Sequence, residues 1–249
     1  MTAPPGGATT PPVIELDEVS VVLGGRTILD RVSLTVTEER LGVIGPNGSG
    51  KSTLARVVGG LAAATSGRVR VAGLDPVRDG RAARARIGFT FADPDAQIVM
   101  PTVREDVDFS LRRSGLDRAA RAERVAETLD RFGLSGLADA PAHRLSSGEK
   151  QLLALASSLV RRPEVLICDE PTTLLDLRNA REMAGLLETL TRSAPRRLAA
   201  LVIVSHDLDL VASCDRVVRL DDGEVTDDGP PAEVIERYRQ DMGSLPWPR

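Results

Sequence analysis

Aromatic side chains are nearly missing from this chain of 249 residues, which has one Trp, one Tyr and four Phe. So sparse a set cannot build the stacking platform that holds single-stranded nucleic acid. An excess of positive charge is also absent. Lys and Arg total 32 against 36 Asp and Glu, a formal net charge of −4, whereas a broad nucleic-acid footprint needs clustered positive charge. Cysteine is scarce. Cys168 and Cys214 show neither metal-ligand spacing nor a framework of bridges, and they read as small buried hydrophobes in a reducing compartment. Long hydrophobic runs are lacking too. The longest, residues 198–204, falls far short of the roughly 20 residues a membrane-crossing helix needs. Residues 1–12 are rich in Pro, Gly and Thr, with no basic start and no apolar stretch. They read as a disordered tail and not as a signal peptide. The expectation is a protein that works in the cytoplasm, with any membrane role coming through a partner.

What is present is ordinary for a soluble globular protein, 42% apolar and 27% charged residues. Residues 13–23 and the alternating Val32, Leu34 and Val36 predict strands joined at Gly24-Gly25, a hairpin signal. Residues 41–44 predict a short buried strand, 53–61 a helix, and Val69 and Val71 another strand. Residues 87–91 read as a strand. From 103 to 132 the chain predicts helix, with Ala119, Ala122, Val125, Ala126, Leu129 and Phe132 on one apolar stripe. A further helix is expected over 148–160. Strands at 165–168 and 201–204, each followed by a helix (177–192 and from 207), alternate β with α, which implies a parallel sheet covered on both faces. Residues 217–225 predict a hairpin and 231–239 a last helix with Pro in its first turn.

Gly45-Pro46-Asn47-Gly48-Ser49-Gly50-Lys51-Ser52 has the spacing of a phosphate-binding loop, after a predicted strand and opening a helix at Thr53. Glycines let the backbone turn its N–H groups toward a phosphate, and the helix N-terminus adds the positive end of its dipole. Lys51 can reach the β- and γ-phosphates, and the Ser52 hydroxyl can ligate Mg²⁺. This motif does not separate a kinase, a GTPase or a transport ATPase. A second site follows the apolar run 165–168, where Asp169 and Glu170 fall at the carboxyl edge of a parallel sheet. Asp169 suits a Mg²⁺ shell, and Glu170 suits a general base acting on water.

Two further motifs flank this strand. Leu145-Ser146-Ser147-Gly148-Glu149-Lys150-Gln151 resembles the signature motif of ABC ATPases. Residues 171–176, ending in Asp176, are similar to the loop after their catalytic glutamate, and Ser205-His206-Asp207 to their switch histidine. The resemblance covers about residues 13–235. Residues 89–103, 172–179 and 228–230 resemble the ATPases of energy-coupling-factor importers, 172–179 most of all the biotin type, with the cobalt type next.

The resemblance implies an α/β fold: a P-loop core with an N-terminal antiparallel β part and an inserted α-helical subdomain. The core would take 13–92 and 161–240 and the subdomain 93–160, between the tail at 1–12 and a flexible tail at 241–249. It implies ATP and Mg²⁺ as ligands, with Gly45, Asn47, Gly48, Ser49, Gly50, Lys51, Ser52 and Thr53 around the phosphates and Leu23 against adenine. Ser52 and Asp169 would hold the metal, and Glu170 and His206 would act in hydrolysis. Two ATPase domains, identical copies or paralogues, would close head to tail, so that Ser146, Gly148 and Asp176 serve the partner's nucleotide. A transmembrane coupling subunit, a substrate-binding membrane subunit and a place on the cytoplasmic face of the membrane are implied; nucleic acid is not. His143 has no such role and reads as structural.

Three departures stand out. Ala92 replaces a glutamine that contacts Mg²⁺ and water, Ser147 replaces a glycine, and Leu23 stands where an aromatic ring usually stacks on adenine. Two other readings therefore stay open beside the transport motor: a weakened, nucleotide-gated binding subunit, and a soluble ABC ATPase of DNA repair or translation. Against the second, the chain has one phosphate loop and no heptads. Arg78, Arg81, Arg84 and Arg86, with no aromatics between them, read as a solvated helix face.

Overall fold

The computed structural model describes residues 11–192 and 198–244; most of the expected N-terminal tail and residues 245–249 of the C-terminal one lie outside the described residues. Strand β1 (Ile14–Leu23) buries Ile14, Leu16, Val19 and Val21, with a register shift between Leu16 and Val19. The Gly24-Gly25 turn leads into β2 (Arg26–Val36), and Leu23 pairs with Arg26 across it. With β4 (Ser66–Val71) on the other side of β1, these form a three-stranded antiparallel sheet.

A six-stranded sheet carries the rest. Its members are β3 (Arg40–Ile44), β5 (Ile87–Thr90), β6 (Val165–Asp169), β7 (Ala200–Val204), β8 (Arg216–Asp221) and β9 (Glu224–Gly229), in the order β5-β6-β7-β3-β8-β9. All pairings are parallel except that of β8 with β9. Every residue of β6 and β7 is buried, as a strand covered on both faces requires. Val165, Ile167, Val202 and Val204 pack toward the antiparallel sheet and α1 (Lys51–Val58). Leu166, Cys168, Leu201 and Ile203 pack toward the other helices. Both cysteines are free and buried, and burial pushes both thiols up to about 12.

The remaining helices are α2 (Gly80–Arg86), α3 (Val103–Ser110), α4 (Arg118–Arg131), α5 (Ser147–Leu159), α6 (Leu177–Arg192), α7 (Leu208–Val211) and α8 (Pro231–Ser244). Three sequence expectations need correction. Residues 103–132 are two helices, because Asp117 caps a new one by accepting from the Ala120 N–H at 2.8 Å. Of the expected stripe only Val125, Leu129 and Phe132 are buried; Ala119, Ala122 and Ala126 are exposed, since it is Val125, Leu129 and Phe132 that α4 packs into the core. The last helix does not give way to a flexible tail at 241. Arg219 pairs with Asp241 and lies over the Tyr238 ring, tying the final turns of α8 to β8. Smaller shifts are that α1 spans Lys51–Val58, and that His143 is exposed in the 3₁₀ turn Ala142–Arg144.

The segment after β5 is fastened to the helices. Asp106, 3% exposed, accepts from the Val99 and Met100 N–H groups at 2.9 and 3.1 Å and from the Ser157 hydroxyl at 2.9 Å. One carboxylate thus joins this segment to α3 and α5. Asp106→Ala strands two backbone donors and a hydroxyl. At about 1–3 kcal/mol for an unsatisfied buried group, the expected loss of stability is about 3 kcal/mol, read as a lower denaturation midpoint. Asp106→Asn keeps the backbone acceptor, and its loss should be less than half as large.

Candidate active site

Strand β3 lies inside the sheet, and its carboxyl end opens directly into residues 45–50. Gly45 has φ +147°, and a Cβ there would stand 2.0 Å from the Leu220 carbonyl oxygen. Gly50, at φ +101°, leads into α1 with no side-chain cap. The N–H groups of the first helical turn have no partner within the helix, so they are available to an anion. Lys51 is buried, and its Nζ donates to the Gly45 and Pro46 carbonyls at 2.8 Å each. The Ser49 hydroxyl is buried without a hydrogen-bond partner among the described residues. An open cleft of about 460 Å³ lies over this loop, lined by Arg26, Ile28, Asn47, Gly48, Gly50, Lys51, Ser52, Thr53 and Glu170. Uncapped N–H groups, an orphaned hydroxyl and a lysine make this a cradle that fits a phosphate chain.

The acids arrive from β6. Asp169 Oδ1 accepts the Ser52 hydroxyl at 3.0 Å, bridging two strands that β7 separates. Burial raises the Asp169 pKa, and the Ser52 hydrogen bond pulls against it. Burial pushes the Lys51 ammonium below its ordinary value, against the pull of Glu170 and Asp169. Both charges stand partly desolvated, which a polyanion with a divalent cation would relieve. Glu170 sits at φ +53°, a left-handed conformation that costs a non-glycine residue roughly 1–2 kcal/mol. Its N–H donates to the Val204 carbonyl at 2.8 Å. The turn aims its carboxylate at the end of β7, where Oε2 lies 2.7 Å from His206 Nδ1 and accepts the Thr173 hydroxyl at 3.1 Å. Sequence-predicted Asp169, Glu170 and His206 are thus gathered beside the loop.

Other predicted residues stand apart from the cleft. Ser146 caps α5: its hydroxyl donates to Glu149 Oε2 at 2.7 Å, and the Ser146 N–H donates to the same oxygen at 2.8 Å. These bonds hold the Glu149 carboxyl below its usual value. The Glu149 carboxylate therefore accepts the Ser146 hydroxyl's hydrogen bond until another acceptor competes for it. Ser147 is exposed, and Gly148 is buried against Asn179, whose side chain a Cβ would meet at 3.1 Å. Asp176 caps α6 by accepting from the Asn179 backbone and side-chain amides. Leu23 is 60% exposed at the hairpin.

Sequence reasoning did not single out Arg26 and Ile28, whose only signal was their place just after the Gly24-Gly25 turn. Gln97 does not substitute for the glutamine absent at Ala92. Its Nε2 donates to the Ala154 carbonyl and the Ser158 hydroxyl, each at 2.9 Å, while its Oε1 accepts from the Phe91 N–H. It faces α5.

Comparison with known proteins agrees with this geometry. The family model described as ABC transporter matches residues 29–173. The chain is 42% identical to a biotin transport ATP-binding protein of Rhizobium etli over 227 residues, covering 91% of this chain and 98% of the relative. It is 41% identical to an energy-coupling factor transporter ATP-binding protein of Lacticaseibacillus paracasei over 213 residues, covering 83% and 74%. The structure of CbiO1 from Clostridium perfringens, part of the ABC transporter complex CbiONQ, superposes with a TM-score of 0.80 at 32% identity, covering 95% and 96%. The phosphate cradle, the acids at the sheet edge and these likenesses converge on one conclusion: the chain belongs to the ATP-binding subunits of ABC transporters, and its activity is ATP hydrolysis.

Proposed function

We propose that this chain is the motor of an energy-coupling-factor importer, taking up a vitamin such as biotin or a metal ion such as cobalt. The observation that carries the reading is a division of residues. Lys51, Ser52 and Glu170 line one cleft, with Asp169 bonded to Ser52 and His206 to Glu170 behind them. Ser146, Gly148 and Asp176 neither line it nor bond to a side chain that does: Ser146 bonds Glu149, Asp176 bonds Asn179, and Gly148 lies against Asn179. They can act on a nucleotide only across a subunit boundary, so the complete site takes two ATPase domains set head to tail. The named activities of the relatives support the transport role. Among the described residues no helix is long and apolar enough to cross a membrane. The chain would accordingly sit on the cytoplasmic face, carried by a transmembrane coupling subunit beside a substrate-binding membrane subunit.

The chemistry follows from the geometry. The loop N–H groups and Lys51 hold the β- and γ-phosphates and offset charge that grows in the transition state. Among the described residues no cluster of three or more His, Cys, Asp or Glu forms a metal cage. Ser52 and Asp169 would therefore hold Mg²⁺ together with substrate phosphates. The ion supplies charge neutralisation on the phosphate oxygens. Glu170 takes the proton of the attacking water. His206, donating from Nδ1, orients that carboxylate and leaves Nε2 free to face the γ-phosphate. Ser146 and the α5 N-terminus of the second subunit complete the cradle.

A second reading, a slow nucleotide-gated subunit, is favoured by Ala92, since Gln97 is engaged with α5. Two measurements test these readings. Glu170→Gln should bind ATP and lose hydrolysis by about 10²- to 10⁴-fold, the usual worth of a positioned base. Light scattering should show ATP shifting this variant toward dimer. Hydrolysis at the parent rate would remove Glu170 from the base role, and a monomer at saturating ATP would point to a paralogous second ATPase. Ala92→Gln should raise steady-state phosphate release about tenfold, or about 1.4 kcal/mol of barrier, by restoring one polar contact. An unchanged rate would mark Ala92 as neutral and remove the support for the slow subunit.

A further inference from the structure

The cleft contains a second cation that none of the motifs explains. Arg26 opens β2 and lines the cleft together with Ile28, two residues further on. The register of β1 against β2 shifts between the pairs Val22–Thr27 and Val21–Leu29, so Ile28 is the extra residue of a bulge, and the exposed Thr27 and the fully buried Leu29 lie on opposite faces. The backbone of β2 touches the phosphate loop at Ile28: a Cβ on Gly50 would stand 2.7 Å from the Ile28 carbonyl oxygen. Arg26 therefore sits two residues beyond that contact toward the hairpin tip, at most about 7 Å away at about 3.3 Å per residue. That step matches the offset of a nucleoside from the phosphates it carries. Directly across the turn is its register partner, the exposed Leu23. The Arg26 side chain is exposed and makes no hydrogen bond or ion pair among the described residues. Lys51 is the only other cation in the lining, and the lining holds no aromatic ring.

We propose that Arg26 is the nucleobase-binding residue of this site, its planar guanidinium lying on the face of a purine whose edge packs against Leu23. A guanidinium is weakly hydrated, flat and permanently charged, and it stacks on π systems as a lysine ammonium does not. Because the contact uses the ring face, it selects by ring area. Purine triphosphates bind better than pyrimidine ones, with little distinction between adenine and guanine. The inference rests on the cleft being the nucleotide site.

The test is equilibrium binding by titration calorimetry on the full chain with Mg²⁺, using ATP, GTP, CTP and inorganic tripolyphosphate. Arg26→Ala should weaken ATP and GTP by roughly threefold to tenfold, the range of an exposed to partly desolvated cation–π contact. It should leave tripolyphosphate unchanged and narrow the preference for ATP over CTP. Arg26→Lys should recover less than half of the loss, and Leu23→Tyr on the Arg26→Ala background should restore binding by returning a ring to the turn. Equal losses for ATP and tripolyphosphate would make Arg26 a phosphate contact and overturn the proposal. So would full recovery by Arg26→Lys, or unchanged ATP binding in Arg26→Ala. Failure of the parent chain to bind ATP, with its circular dichroism intact, would instead overturn the assignment of the cleft itself. Arg26 is exposed and unbonded, so the variants keep the fold.

Discussion

One constraint organises this molecule: β3 and β6 are parallel strands separated by a single strand, β7, and all three end at the same edge. The hydrogen bond from Ser52 to Asp169 spans that gap between residues 117 positions apart. It forms only if the loop after β3 and the last residue of β6 emerge at the same height. Parallel pairing sets that height, with Val43 opposite Val204 and Asp169 opposite Val204 on the other side. Glu170 and His206 then meet because β7 delivers Ser205 and His206 between the loop and the acids. A one-residue slip of β6 would turn Asp169 away, which is why its register is locked by side chains buried on both faces.

The second organising feature is what holds the segment after β5. Gln97 fastens it to Ala154 and Ser158, Asp106 to Ser157, and Lys150 pairs with Asp95. All of these partners except Asp95 and the two anchoring side chains belong to α5, the helix that Ser146 caps. Among the described residues the segment is thus bonded to the signature helix and carries no glutamine toward the phosphate loop.

The site is also strained and desolvated where its chemistry is expected. Glu170 holds a left-handed backbone, Asp169 is pushed toward protonation, and Lys51 is pushed toward the neutral amine and rests on carbonyls. Each cost is local and small beside the buried sheet that enforces it. A ligand carrying several negative charges and a divalent ion would offset the two desolvation costs together.

Much of this was legible in the chain. Gly45, Gly50 and Lys51 name a phosphate loop because only glycine tolerates those backbone angles and approaches. The unbroken apolar runs of β6 and β7 announce strands covered on both faces, and Asp169, Glu170 and His206 follow them at once. Other features were not legible. The break between α3 and α4, the exposure of Ala119, Ala122 and Ala126, and the extension of α8 to Ser244 depend on which neighbour each helix meets. Local periodicity cannot report that. The engagement of Gln97 with α5, and the placing of Arg26 at the cleft over residues 47–53, join residues far apart in the chain. The sequence determined which groups could do the chemistry, since that is a property of residue type and local backbone. The tertiary structure alone decided which of them share a cleft, because strand order is set by long-range packing that no short stretch of sequence contains.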